Sequence, residues 1–225
     1  MRLRWFGQSA FLLAAGQSVL LDPFGDTSLF ASRGLQFDYP PIDGVHADVV
    51  MVTHEHADHN AVDIVAGTPV VLRSTAGRLE SPIGEVIAVA SEHDDVAGTA
   101  RGRNTIFCFT FDGARVCHLG DFGQPALRPE QRQAIGAVDV LFVPVGGGPT
   151  IGGAAAAALV RSLEPRVVVP MHYRTAAVNF LEPPDAFLEA LGARVERFET
   201  SEAEVDGFLG TRDAPTVALL APPSL

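Results

Sequence analysis

The chain has 225 residues, 47% of them hydrophobic, so it can close one large core, and both a disordered chain and a small disulfide-stapled scaffold are excluded. Sixteen basic against 27 acidic side chains give a formal charge of −11 with no basic run, which argues against a nucleic-acid-binding surface. No apolar stretch approaches the roughly 18 residues of a membrane span, Met1-Arg2-Leu3-Arg4 leads into no apolar signal segment, and two cysteines are too few for a disulfide framework. A cytoplasmic protein acting on a small molecule, with neither nucleic acid nor membrane as partner, is the expectation; the sequence carries no sign of oligomeric state.

The elements follow in order. "RLRWF", "AFLLAA" and "SVLLD" are short strands separated by turns at Gly7-Gln8-Ser9 and Gly16-Gln17. "DVVMVT", residues 48 to 53, is a nearly continuous apolar run of the kind buried on both faces of a sheet. "NAVDIVAG" predicts a short helix ended by Gly67, and "PVVLRS" and "EVIAVAS" predict further strands. In "TIFCFTFDGARVC" the Asp112-Gly113 pair is a two-residue hairpin signal, and counting outward from it sets Cys108 opposite Cys117. Those two residues are read as reduced thiols filling adjacent core positions, or as a cross-strand disulfide under oxidising conditions.

The second half changes rhythm. "VDVLFVPV", "GGAAAAALVRSLEP" and "RVVVPMH" form a strand-helix-strand unit, which predicts parallel strands with their loops gathered at one end. "PDAFLEALGA" predicts a helix with Gly192 past its end, and "RVERFE" and "TVALLAP" are closing strands. With no repeat and no low-complexity linker, residues 1–225 read as a single domain. The strands are too many for one central sheet, and two β-rich halves covered outside by helices bury these runs better.

Three of the seven histidines fall in "MVTHEHADHN". Either this is a histidine-rich polar turn, or a strand ends in a loop that grips metal. Residues two apart in an extended chain point the same way, so His54 and His56 share a face, and Asp58 and His59 follow where the chain turns. Four such donors at this spacing favour metal, and the donor types suit zinc, manganese or iron(II).

His54-x-His56-x-Asp58-His59 after a strand resembles the metal-binding motif of the metallo-β-lactamase superfamily. The likeness extends to "SAFLLAAGQSVLLDPFGD", to the Gly-Asp motif in "HLGDFG" and to the last strand with its terminal histidine in "VVVPMHY", and is nearest to the small metal-dependent hydrolases similar to ascorbate-phosphate lactonase. The resemblance implies an α+β fold, an αββα sandwich of two mixed β-sheets flanked by helices, with a dinuclear site along one edge. It implies one ion held by His54, His56 and a third histidine, and a second held by Asp58, His59 and His172, with Asp121 bridging. For the third histidine, His93 stands at the exit of a strand. His118 lies within one, on the face opposite Asp121 if that strand is regular, so His93 is chosen.

The site implied is that of a hydrolase carrying two divalent ions, Zn2+ first and Mn2+ or Fe2+ as alternatives, which share a water and lower its pKa. Asp58 would orient the resulting hydroxide against an ester, lactone, amide or phosphodiester. A di-iron oxidoreductase and a nuclease of the same superfamily are the alternatives. Around the ligands, Asp22 could accept a histidine's second ring N–H or simply form an Asp-Pro turn, and His118 would be a buried neighbour. The glycine-rich "VGGGPTIGG" could cradle an anion on its backbone N–H groups or serve as a plain connection. Thr150, Tyr173 and Arg174 are substrate contacts by nearness alone, and His46 is read as an exposed loop residue. Many relatives carry histidine where this chain has Gln8, which leaves the contact made there open.

Overall fold

The computed structural model describes residues 1–205 and 210–224. Period-two patterning builds the first sheet. It contains β1 (Arg2–Gly7), β2 (Ala10–Ala15), β3 (Gln17–Leu21), β4 (Val49–Val52) and β5 (Val70–Arg73), with β13 (Glu202–Glu204) outside β1. Trp5, Phe11, Leu13, Val19, Leu21, Val49 and Met51 point to one face, whereas Phe6, Ala10, Leu20, Val50 and Val52 point to the other. Both faces are therefore covered, and β4 is buried along its whole length.

The second sheet has eight strands in the order β12-β14-β11-β10-β9-β8-β7-β6. These are β6 (Gly77–Ser81), β7 (Gly84–Glu92), β8 (Arg103–Phe111), β9 (Ala114–His118), β10 (Val140–Pro144), β11 (Val167–Met171), β12 (Arg194–Arg197) and β14 (Thr216–Leu219). The Asp112-Gly113 turn, both residues at positive φ, joins β8 to β9 and sets Cys108 against Cys117 with their free thiols 3.3 Å apart. Inner faces of the two sheets form one core, in which the Phe11 and Phe142 rings meet at 4.7 Å. Each such fully buried aromatic contributes on the order of 2–3 kcal/mol.

On the outside of the second sheet lie α2 (Pro129–Ile135), α3 (Gly153–Leu163) and α4 (Asp185–Leu191), which bury Ile135, Val160, Leu163 and Phe187. The outside of the first sheet departs from the expected helical cover. Aromatic-rich loops take the role: Phe24, Phe37 and Tyr39 with Val178 and Leu181, helped only by the five-residue α1 (Ser28–Ser32). The helix predicted in "NAVDIVAG" is a single 3-10 turn at Val62–Ile64. Its backbone bonds go elsewhere, Ala61 N–H to Pro23 and Ala66 N–H to Val45, so tertiary contacts outcompete helix closure. Four short elements escaped the periodicity: α1, β6, β13 and α2, the last despite Pro129 at its start and Gly136 at its end.

Strand direction places the site. β3, β4 and β5 run parallel, as do β9, β10, β11 and β14. β7 and β9 are both antiparallel to β8, so they too share a direction. The exits of β3, β4, β7, β9 and β11 deliver Asp22, His54, His93, Asp121 and His172. The Thr105 N–H bonds Thr53 O at 2.9 Å and ties the two sheets together at this edge.

Two glycines let backbones cross there. A Cβ on Gly123 would lie 2.4 Å from the carbonyl carbon of His93, and one on Gly146 would lie 2.2 Å from the His172 oxygen. Gly123→Ala is expected to destabilise the fold by about 1–3 kcal/mol, the usual penalty of overpacking against backbone. In urea this reads as a lower midpoint at unchanged slope; an unchanged midpoint would show that the crossing yields freely.

Candidate metal centre

The segment after β4 turns sharply and is held by buried polar contacts rather than by helix. Asp22, fully buried, accepts Thr53 N–H at 2.8 Å and the Thr53 hydroxyl at 2.8 Å. The same carboxylate lies 3.0 Å from His59 Nδ1 and 3.0 Å from His118 Nε2. Asp22 thus links β3, β4 and β9 through one side chain. His118 faces Asp22, away from Asp121.

All seven residues implied as ligands meet at this edge. Around Asp121 Oδ2 stand His93 Nε2 at 3.2 Å, His172 Nε2 at 3.3 Å, His59 Nε2 at 3.4 Å and His54 Nε2 at 4.0 Å. His56 Nδ1 is 3.0 Å from His54 Nε2, and Asp58 Oδ2 is 3.5 Å from His59 Nε2. Three overlapping sets could each hold an ion: His54 with His56 and His93, His54 with His59 and Asp121, and Asp58 with His59 and His172.

Hydrogen bonding selects the tautomers that a cation needs. The Thr53 hydroxyl gives its one proton to Asp22, so it can only accept from His54 Nδ1–H at 3.0 Å. His54 Nε2 is left as a lone-pair donor. Likewise His93 Nδ1–H donates to the Pro149 carbonyl at 3.0 Å, which turns its bare Nε2 toward Asp121. The His59 ring nitrogens and His172 Nδ1 find no well-aligned hydrogen-bond partner among the described residues. Lone pairs and carboxylates converging in a buried space fit a divalent cation better than they fit one another.

Charge points the same way. Burial would raise Asp22 and Asp121, yet both are held well below the ordinary carboxylate range, Asp22 chiefly by His59 and His118, Asp121 chiefly by His172 and His59. Burial, reinforced by the charge of His59, pulls His54 down to about 3, so it is neutral at physiological pH. His172 is lowered by burial as well. His59 goes the other way: against the penalty of burial, Asp121, Asp58 and Asp22 raise it well above 6.5. In the metal-free chain its proton supplies the positive charge that three buried carboxylates demand.

Strain gathers at the same place. Gln8, Asp22 and His172, none of them glycine, take positive φ of 47°, 43° and 51°. Gln8 accepts Trp5 Nε1–H and His172 N–H on its carbonyl, while its buried side-chain amide has no partner among the described residues. Sequence reasoning missed Asn104, whose side chain accepts the Asp121 N–H and donates to Leu119 O, and Ser9, whose hydroxyl donates to Asp121 at 3.4 Å. Neither carries a local signal, since each acts across more than ten residues of chain.

The site floors a cavity of about 700 Å³, with His56, Asp58, His93, Asp121 and His172 on its surface. Thr150 and Tyr173, expected as substrate contacts, are not on its walls. The Thr150 hydroxyl donates to Gly147 O, and Tyr173 is buried against Trp5 at 5.4 Å, where burial raises its pKa far up. Arg174 also points elsewhere, donating to the Leu181 carbonyl. Gly148 and Pro149 of the glycine-rich segment do reach the wall, and His46 is exposed outside it.

The sequence matches the Beta-lactamase superfamily domain over residues 2–172. It is 29% identical over 222 residues to a UPF0173 metal-dependent hydrolase of Thermococcus kodakarensis, covering 87% of this chain and 94% of the relative. A similar relative in Archaeoglobus fulgidus is 29% identical over 235 residues, with 86% and 92% covered. Among solved structures, a candidate Zn-dependent hydrolase of the metallo-β-lactamase superfamily from Thermotoga maritima superposes with a TM-score of 0.76. That protein shows 32% identity, with 97% of this chain and 98% of that one covered. Igni18, a metallo hydrolase of Ignicoccus hospitalis, shares the fold at a TM-score of 0.61 and 20% identity, with 99% and 96% covered.

The raised His59 sets a pH dependence. In the metal-free chain its contribution to stability is fully present below about pH 6.5 and fades as pH rises through the raised folded value. A cation must displace that proton, so metal binding at neutral pH is expected to release about one proton per chain and to tighten as pH rises. Calorimetry in buffers of differing ionisation enthalpy measures this; metal uptake without proton release would overturn it.

Proposed function

We propose, for a chain that belongs to the metallo-β-lactamase superfamily and is a metal-dependent hydrolase within it, that two divalent ions at the sandwich edge serve the hydrolysis of an ester, lactone, amide or phosphodiester of a small metabolite. The observation that carries this reading is the convergence of imidazoles and carboxylates from distant strands, all but His56 buried, on the floor of one small-molecule-sized cavity. His54, His56 and His93 would hold one ion, and Asp58, His59 and His172 the other, with Asp121 between them. The nitrogen and oxygen donors suit zinc first, and manganese or iron(II) as well. When bound, such a pair of ions lowers the pKa of a water and polarises the oxygen of the bond to be cleaved.

The chain's own residues do the rest. Asp58 lies at the cavity floor, and its pKa, which burial would raise, is lowered chiefly by His59. It stays ionised at neutral pH and can accept a hydrogen bond from the attacking water, aiming the oxygen lone pair at the substrate. Water oxygen bonds to the acyl carbon or phosphorus, the bond to the leaving oxygen or nitrogen breaks, and a water proton passes to the leaving group. Asp22 acts at one remove, fixing His59 and Thr53, and through Thr53 the His54 tautomer. The half-exposed Glu55 is tied to Arg73 at 2.7 Å and to Ser74, with its pKa drawn down to about 2 chiefly by Arg73, so it belongs to the wall rather than to the chemistry.

Purified protein reconstituted with zinc, manganese or iron(II) is expected to hold two ions per chain and to hydrolyse members of a panel of lactones, esters and phosphodiesters. His56→Ala and Asp121→Ala should abolish turnover and lower metal content while leaving the circular dichroism spectrum unchanged; His46→Ala should behave as wild type. Equal turnover in all three variants would sink the assignment. Asp22→Asn, which touches no ion directly, should lose roughly 10- to 100-fold in metal affinity or activity, the usual effect of removing a carboxylate behind a ligating histidine.

A further inference from the structure

The cavity walls carry a chemistry that the ligands do not explain. One side is apolar: Leu29 and Phe30 of α1, Leu35 just beyond it, and Phe180 from the far half of the chain. Leu29 is 57% exposed, an open aliphatic surface at the mouth. Arg33 and Arg101 complete the rim. All sixteen basic side chains of this protein are arginines. Six sit in ion pairs with carboxylates, among them Arg73, Arg128 and Arg212, and four more donate to backbone carbonyls. Of the six that remain, Arg33 and Arg101 are the two that line this cavity, and among the described residues no carboxylate lies within ion-pair distance of either guanidinium. Two free guanidinium groups at the mouth of one cavity, in a chain of charge −11, are a local reversal of sign.

Both arginines are held on ordered backbone. Asp94 accepts four backbone N–H groups, from Val96, Gly98, Ala100 and Arg101, at 2.6–3.0 Å. His93 N–H bonds Gly102 O, so the loop running from a candidate ligand to Arg101 is closed upon itself. Arg33 ends α1, with its N–H on Phe30 O, and Phe30 is clamped between Phe37 at 4.9 Å and Phe180 at 5.7 Å. The apolar wall and the cations are therefore presented together on fixed elements.

We propose that the cavity selects an amphiphilic anion: a substrate whose carboxylate or phosphate is held by Arg33 and Arg101, whose apolar body lies on Leu29, Phe30, Leu35 and Phe180, and whose scissile bond faces Asp121. This deepens the hydrolase reading and rests on it. Guanidinium supplies paired donors that match either oxyanion, and the apolar wall adds area-dependent affinity without directional demand. A neutral polar metabolite satisfies neither wall.

The test compares metal-loaded wild type with the Arg33→Gln/Arg101→Gln double variant on three matched esters: para-nitrophenyl pentanoate, mono-para-nitrophenyl glutarate and para-nitrophenyl phosphonobutyrate. Charge-assisted hydrogen bonds of this kind predict that wild type prefers an anionic ester over the neutral one by roughly tenfold or more in kcat/KM, mainly through KM. The relative rates on the two anionic esters tell carboxylate from phosphate. In the double variant the preference should collapse toward one, with metal content unaltered. Leu29→Ser, at an exposed position that cannot unsettle the core, should weaken binding of a phenyl-extended anion more than of the short one. Equal kcat/KM for anionic and neutral esters in wild type, or a preference that survives in the double variant, overturns the proposal. Calorimetry with phenylvalerate against phenylpentanol separates the two readings. If no ester is cleaved yet phenylvalerate binds wild type and not the double variant, the hydrolase reading fails and the anion site stands. If esters are cleaved without charge preference, the reverse holds.

Discussion

Three carboxylates buried within reach of one histidine set the terms for this molecule. Asp22, Asp58 and Asp121 all surround His59, and none can be ionised in a dry interior without positive charge beside it. A protonated imidazole is the least that electrostatics requires. The wider set of histidines, whose bare nitrogens face the same point, goes beyond that requirement and is intelligible only as preparation for more charge than one proton carries. Replacing this cluster with apolar residues would suit the core better, so its presence is a departure from what folding alone favours.

The fold is what makes the departure tolerable. Long apolar strands, buried on both faces, fix their own register because a one-residue slip would turn a hydrophobic face to water. That rigidity is handed to the loops at the strand exits. Asp22 and His172 adopt left-handed backbone immediately after β3 and β11, conformations that cost about 1–3 kcal/mol each and persist only where the surroundings over-determine them. Gly123 and Gly146 serve the same end, since any side chain there would push His93 or His172 out of line. Stability stored in the sheets is converted into positional accuracy at one edge.

Much of this is legible in the chain. Period-two strands, the hairpin at Asp112-Gly113 and the strand-helix-strand unit all follow from local rules, and the His54 to His59 spacing reads as metal-binding without any fold. The choice of His93 over His118 needs only the alternation of a regular strand, and the structure turns His118 toward Asp22. Other parts are not legible because their cause is not local. The segment "NAVDIVAG" has helical composition but gives its N–H groups to Pro23 and Val45. The cover of the first sheet is loop, because Pro23, Pro40 and Pro41 interrupt any helix there while its aromatic side chains still supply the buried area. Sequence neighbourhood misplaces Thr150 and Tyr173, because one residue of backbone path turns each away from the cavity. Arg33 and Arg101 give no signal, as a single arginine on a loop reads like any solvated charge.

A net charge of −11 and an anion-selecting cleft are compatible once distance is taken into account. At physiological ionic strength exposed charges farther than about 8 Å from a point are largely screened, so most of the acidic surface is silent inside the cleft. What governs there is the small set of groups that share its walls. Glu55 is paired with Arg73, and Asp94, whose charge is solvated by four backbone N–H groups, does not line the cavity, which leaves Asp58 and Asp121 as the unpaired negative charges among the described lining residues. Two divalent ions would more than offset them, and Arg33 and Arg101 add to the same sign. An acidic exterior of this kind repels polyanions, while a cleft so charged would attract small ones. Admission of a small oxyanion would then depend on the charges that share the cleft, felt at short range, and not on the net charge of the chain.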